Sequence, residues 1–348
     1  MLAQGTMNSN KHFFVILFFV AVAVFGFGAW QKYPHSISLE KKRLAPLSLA
    51  LDWTPNTNHT GLYVALAEGW YKDEGIDLMI LPYGSVAPDV LVNAGKADVG
   101  ISSTEAIAAD QAAGAPVVSI AAIIAHNTSS LAVRKDSGIS RPAQLEGKIY
   151  GGYGAPYEEP VIGTMIKSDG GKGTFKNVTL DIDGFGALRS KRVDFVWIFD
   201  AWQGVQAKRE GLELVTFPIG DYGIPDYSAP DIITSPDTLV KKKELLKKFM
   251  AATARGYEYA RAHPKEAAQM LIDQALPGTF PDVGLVFDSQ EYLSPRYADP
   301  GKPWGVQTKE SWHDYPAFML KNKAVFDATG KPVTTINFDA LYTNELLP

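Results

Sequence analysis

From Leu47 onward, short apolar runs alternate with stretches whose apolar positions recur at helical spacing. LSLALDW (47–53) predicts a strand ending in a polar loop, and GLYVALAEGWYKDEG (61–75) predicts an amphipathic helix closed by Gly75. IDLMILPYG (76–84) is the next expected strand. A short helix over 87–93 is stopped by Gly95, and ADVGISS (97–103) forms a third strand. This alternation marks βα units and a mostly parallel sheet. Open α/β sheets bind ligands beyond the carboxyl ends of their strands. Asp52, Trp53 and the loop after them, together with Ser103 and its neighbours from Ser102 to Glu105, are therefore expected to face one cleft.

A second unit of the same kind is expected further along. AGKADVGISS (94–103) is echoed by RSKRVDFVWI (189–198): each is a helix end, a basic residue, an aliphatic-Asp pair and a buried strand. By the same geometry Phe199, Asp200 and Trp202 are expected to face the cleft from the other side. Glycine and proline cluster at 150–160 and again at 220–230. Ser235, Pro236 and Asp237 read as an N-cap, a first-turn proline and an acidic first turn. The helix they open runs to about Ala262, its lysines forming a solvated face, and KEAAQMLIDQ continues as a further helix after His263-Pro264.

The N-terminal part differs. Residues 13–30, FFVILFFVAVAVFGFGAW, carry no charge over 18 positions and follow Lys11 and His12. Such a run suits a membrane-crossing signal anchor or the apolar part of an export signal. Cleavage after Gly28 is the alternative, although Phe27 and Trp30 crowd that position. Residues 31–45, with Pro34 and the Lys41 to Arg43 cluster, read as a polar tether. The chain has no cysteine, which removes disulfides, thiolate metal sites, a cysteine nucleophile and a lipid-acceptor cysteine. The 38 acidic and 33 basic residues, net charge −5, leave no basic face for nucleic acid.

Candidate chemistry gathers in three segments. DWTPNTNHTGLY (52–63) offers Asn56, Asn58, His59 and Thr60 near a helix N-terminus, where backbone N–H groups are unpaired. YGGYGAPYEEP (150–160) combines glycines that permit close backbone approach with Tyr153 and Tyr157 as flat faces and Glu158 and Glu159 as acceptors. WIFDAWQG (197–204) places two tryptophans and an acid at a strand end, which suits stacking on a heteroaromatic ring. No GxSxG, HExxH, Walker loop or GxGxxG follows a strand, and the six histidines show no metal-ligand spacing, so neither catalytic nor metal-binding residues are expected.

WTPNTNHTGLYVA (53–65), GKADVGIS (95–102), YGGYGAPYEE (150–159), SQEYLSPRY (289–297) and the terminal YTNELLP (342–348) resemble the thiamine-pyrimidine binding and synthase family. The resemblance implies a type II periplasmic-binding-protein fold, two α/β lobes joined by a double crossover around a ligand cleft. Mapped onto this chain, lobe one is 46–133 plus 234–348 and lobe two is 134–233. It implies ligand contacts from Asp52, Trp53, Asn56 and His59 in lobe one and from Gly154, Tyr157 and Glu158 in lobe two, with Glu158 reading an aminopyrimidine edge. Trp202 and Ser103 join this set from strand-end geometry alone. The function implied is capture of a thiamine pyrimidine precursor, formylaminopyrimidine or hydroxymethylpyrimidine, outside the cytoplasm. No cofactor is required, and ABC permease and ATPase subunits are the expected partners. A related branch is similar but takes riboflavin or its relatives. The family's fungal synthases consume an active-site histidine, at the position of His59, together with pyridoxal phosphate. They also carry a cysteine-rich motif that this chain lacks.

Overall fold

The computed structural model describes residues 43–180 and 184–348. The apolar run 13–30 and nearly all of the tether lie outside the described residues. Among those described, no helix is long and apolar enough to cross a membrane. The first strand, β1 (Ala45–Ala50), begins at the last residue assigned to the tether and stops before Asp52.

Among the described residues, ten strands form two five-stranded sheets. The first contains β1, β2 (Ile76–Leu81), β3 (Val99–Ser102), β4 (Val118–Ala122) and the late strand β10 (Asp231–Thr234). The second contains β5 (Ser129–Arg134), β6 (Ile149–Gly152), β7 (Lys176–Thr179), β8 (Phe195–Phe199) and β9 (Leu214–Pro218). Their orders are β2-β1-β3-β10-β4 and β7-β6-β8-β5-β9. Each has three parallel strands followed by one antiparallel to both its neighbours, β10 in the first and β5 in the second. The chain passes between the sheets twice, through 123–128 and 219–230, the double crossover of a two-lobed fold; β5 thus joins the second sheet ahead of the expected boundary at 133/134, and β10 the first sheet ahead of that at 233/234. β3, β4 and β10 are buried at every position, which is why they read as continuous apolar runs rather than alternating ones.

The sequence echo has a structural counterpart. The Asp98 N–H donates to the Ser48 carbonyl of β1 at 3.0 Å while its carboxylate accepts the Ser48 N–H at 3.0 Å. Asp194 does the same to Ile149 of β6, whose N–H it accepts at 2.8 Å. In both sheets an aspartate just ahead of the third strand in the order pins the second.

Three further expectations are adjusted. The single helix over 61–75 is two, Thr60–Ala67 and Trp70–Asp73, because Gly69 takes φ 75° between them. The helix after Ser235 is likewise divided into Pro236–Lys241 and Lys243–Ala262 at Lys242, whose amine leaves the solvated face to reach Asp98 at 2.6 Å. The C-terminal helix Lys309–Lys321, expected to belong wholly to lobe one, divides its buried face. Trp312 packs with residues around β1 and β10, whereas Tyr315, Met319 and Leu320 join the core of the second sheet with Leu131 and Phe195.

Helix Thr60–Ala67, which carries the cleft loop at its N-terminus, meets helix Lys243–Ala262 backbone to backbone. A Cβ on Gly256 would lie 1.9 Å from the Gly61 carbonyl oxygen. Gly256→Ala is therefore expected to lower unfolding free energy by about 1–3 kcal/mol through overpacking, read as a lower urea midpoint with unchanged slope.

The two crossovers are tied by His126. Its Nδ1 bonds Asp226 of the second crossover and its Nε2 lies 2.9 Å from Asp299, while the Asn127 N–H donates to Asp226 at 3.2 Å. Burial pulls the His126 pKa down, but hydrogen bonds to and charges on Asp226 and Asp299 outweigh it, and the net shift is upward. A raised imidazole pKa stabilises the fold fully below the unfolded value and loses that contribution as pH rises through the folded value. His126→Ala is thus expected to flatten the decline of melting temperature between neutral and mildly alkaline pH, measured by thermal scans across that window.

Candidate functional site

The loop after β1 is built by its own hydrogen bonds. Asn56 caps the turn Thr57–His59, its side chain accepting the Asn58 N–H at 2.9 Å and donating to the Thr54 carbonyl at 3.0 Å. His59 is fully buried. Its Nδ1 accepts the Asn56 N–H at 3.3 Å, which leaves Nε2 as the protonated nitrogen in the neutral ring, donating to Asp52 Oδ1 at 2.8 Å. Helix Val283–Leu293 braces the loop from behind, with Ser289 2.6 Å from the Thr57 hydroxyl and Gln290 accepting from Thr60 at 2.6 Å. Tyr257 donates to the Asn58 carbonyl at 2.7 Å.

In front of this loop lies a cavity of about 260 Å³. Asp52, Trp53, Asn56, the end of β3 and Ser103 just after it line it from the first lobe. Phe199 and Trp202 line it from the second, and Pro88, Ala229 and Pro230 complete the apolar wall. Ser103 caps helix Thr104–Ala112, accepting the Ala106 N–H at 3.3 Å and keeping a hydroxyl proton to donate. Trp202 sits in a π-helical turn, Asp200–Gly204, directly after β8, and its ring packs on a cluster around Tyr63, Leu271 and Val286 of the first lobe. π-helical turns are rare and are found frequently at functional sites.

Asp52 is the one charged residue among those lining the cavity, and its side chain is 32% exposed. With Oδ1 held by His59, Oδ2 remains as an acceptor on this partly exposed carboxylate. Among the described residues, no lysine or arginine lines the wall. The site is therefore suited to a flat neutral or cationic ring bearing an amine, and has nothing to neutralise a phosphate or sulfonate.

Of the nine residues expected to contact a ligand, five meet at one cavity, Asp52, Trp53, Asn56, Ser103 and Trp202, and Ser102 and Phe199, expected at the cleft from their strand ends, line it with them. Four do not line it. His59 stands behind Asp52, with both ring nitrogens engaged, and orients that carboxylate instead of touching the cavity. Glu158 is buried, and four donors converge on its carboxylate: the Tyr150 hydroxyl (2.7 Å) and the N–H groups of Tyr153 (2.9 Å), Gly154 (2.7 Å) and Ala155 (2.8 Å). Those bonds fill its lone pairs, so Glu158 shapes its own loop and has no capacity left to read an aminopyrimidine edge. Gly154, at φ 82°, supplies one of those N–H groups. Tyr157 is partly buried and packs edge-on against Trp197 with centroids 5.9 Å apart. Asp200, expected beside the tryptophans, turns away and accepts from the Ser130 hydroxyl at 2.9 Å. Burial, partly offset by that bond and by the Arg296 charge, raises its pKa to about 6.

Pro88 and the cis Ala229-Pro230 pair of the second crossover were not anticipated as walls. The glycine and proline cluster at 220–230 marks a turn around Ala229 and Pro230 but not a cavity wall, and nothing in the sequence singles out Pro88.

Residues 56–267 match the family described as NMT1/THI5 like. The formylaminopyrimidine-binding protein of Halalkalibacterium halodurans is 28% identical over 286 residues, 80% of this chain and 86% of that protein. The 4-amino-5-hydroxymethyl-2-methylpyrimidine phosphate synthase of Legionella pneumophila is 28% identical over 236 residues, 66% of this chain and 74% of that protein. Among solved structures, the alkanesulfonate-binding protein of Xanthomonas axonopodis pv. citri, bound to MOPS, aligns with TM-score 0.63 at 14% identity, covering 86% of this chain and 98% of that one. The fold is that of the periplasmic binding proteins.

Proposed function

We infer that this chain, which belongs to the NMT1/THI5-like family, captures a small aminopyrimidine without transforming it, as the extracytoplasmic binding component of an ABC importer. The observation that carries the reading is the cavity: about 260 Å³, walled by Trp53, Phe199 and Trp202, with one carboxylate and no cation. Its volume falls below the ~300–1,000 Å³ of pockets for drug-sized ligands, which favours one ring over the three fused rings of a flavin. Formylaminopyrimidine and hydroxymethylpyrimidine both fit this description, each a neutral ring whose exocyclic amine can donate to Asp52. The name of the Halalkalibacterium relative supports the same ligand class.

The synthase names among the relatives favour a second reading, which the residues do not support. A Schiff base with pyridoxal phosphate needs a lysine amine for its aldehyde, and among the described residues no lysine lines the cavity. A histidine spent in the reaction must meet the cofactor, whereas His59 is fully buried with both nitrogens bonded.

The test is titration calorimetry of the purified protein with formylaminopyrimidine, hydroxymethylpyrimidine, hydroxymethylpyrimidine phosphate, thiamine and riboflavin. Binding at micromolar concentration or tighter is expected for at least one unphosphorylated pyrimidine, with the phosphate and riboflavin much weaker. Silence from every pyrimidine would sink the reading. For the synthase alternative, intact mass after incubation with pyridoxal phosphate and ferrous iron should be unchanged.

A further inference from the structure

We propose that Arg209 is a positioning residue of the cleft: its guanidinium clamps the second lobe to helix Val283–Leu293 and so fixes the distance between the two aromatic walls. Arg209 ends helix Val205–Arg209, which directly follows the π-turn bearing Trp202. Its Nε and Nη2 donate to the two oxygens of Asp282 at 2.8 and 2.9 Å, and its Nη1 donates to Asp288 at 2.5 Å. Three parallel bonds onto two carboxylates use the planar fork that lysine lacks. The fit is close. A Cβ on Gly284 would come within 2.2 Å of Nη2, so the guanidinium rests on bare backbone.

The helix that receives the clamp serves both walls. Asp282 is its N-cap, Val286 and Phe287 pack in the cluster that holds the Trp202 ring, and Ser289 and Gln290 hold Thr57 and Thr60 behind the Asp52 loop. One rigid element thus carries the Asp52 side of the cavity and, through Arg209, the Trp202 side. The carboxylates are about half exposed, so added salt weakens the clamp.

The clamp concerns the lobes and not the identity of the ligand, so its first test needs no ligand. The chain has no cysteine. Val178→Cys on the second sheet and Val240→Cys on the first lobe, both exposed, therefore give a unique pair of spin labels in the full chain. Pulsed electron–electron resonance is expected to give one narrow distance distribution at low salt, broadening at molar salt. R209Q, and independently the D282N/D288N pair on the opposite lobe, should broaden it at every salt concentration, with no further change when all three are combined. R209K should fall between. A distribution in R209Q or D282N/D288N that matches the parent at low salt, with folding confirmed by circular dichroism, overturns the proposal. Should R209Q fail to fold, the aspartate pair alone decides. In the ligand arm, a bound aminopyrimidine should dissociate ~3–10-fold faster from R209Q with little change in association, as for the loss of a partly exposed ion-pair network. Parent protein that binds no pyrimidine contradicts the functional reading and leaves the distance result standing.

Discussion

Trp202→Ala is expected to reduce aminopyrimidine affinity by ~30- to 1,000-fold, the range of ~2–4 kcal/mol for a buried aromatic anchor. The effect is large because the ring has two roles. It supplies a wall of the cavity, and it inserts into the cluster of Tyr63, Leu271 and Val286, which belongs to the other lobe. Alanine removes the stacking face and also empties a contact that holds the lobes together. Trp202→Phe keeps apolar bulk but shortens the platform, so it should recover part of the affinity. Calorimetry on the three proteins checks this. Unchanged affinity in the alanine variant would place the ligand elsewhere.

The second large effect is expected from Asp52→Asn, ~10- to 100-fold weaker binding, the worth of a hydrogen bond to a charged group. The argument rests on the direction of the His59 proton. The Asn56 N–H occupies Nδ1, so Nε2–H must find an acceptor at residue 52. An asparagine there turns its carbonyl toward His59 and its NH2 toward the cavity, donor facing donor against an exocyclic amine. The variant should therefore discriminate less between an aminopyrimidine and its oxo analogue, whose ring presents an acceptor at that edge. Competition calorimetry with the two analogues measures that change. Equal losses for both would mean that Asp52 does not read the amine.

Much of the architecture was legible because the features that specify it are local. Strand ends followed by polar loops, Gly95 as a stop and the paired aliphatic-Asp motifs need no tertiary knowledge. Asp98 and Asp194 then prove to do the same work in the two sheets. The polar loop 52–60 was legible as a site for the same reason. Sequence could not show where each polar group spends its hydrogen bonds. Glu158 and His59 look like ligand-facing groups in a loop, yet their own backbone and neighbours fill them. Phe199 was expected at the cleft from its strand end. Pro88 and Pro230 were not, because apolar residues far apart in the chain carry no mark that separates a cavity wall from core. The division of helix Lys309–Lys321 between two cores was hidden too, since its heptad-like spacing says which face is buried but not against which lobe.

In the proposed function the protein holds one unphosphorylated aminopyrimidine ring and leaves it unchanged. The most direct measurement is the mass and ultraviolet–visible spectrum of the compound released by heat from natively purified protein, together with the intact mass of the chain. The expected result is a colourless single-ring aminopyrimidine without phosphate and a protein mass that keeps the His59 imidazole. A flavin spectrum, a phosphorylated ligand or a protein lighter by part of a histidine would contradict it.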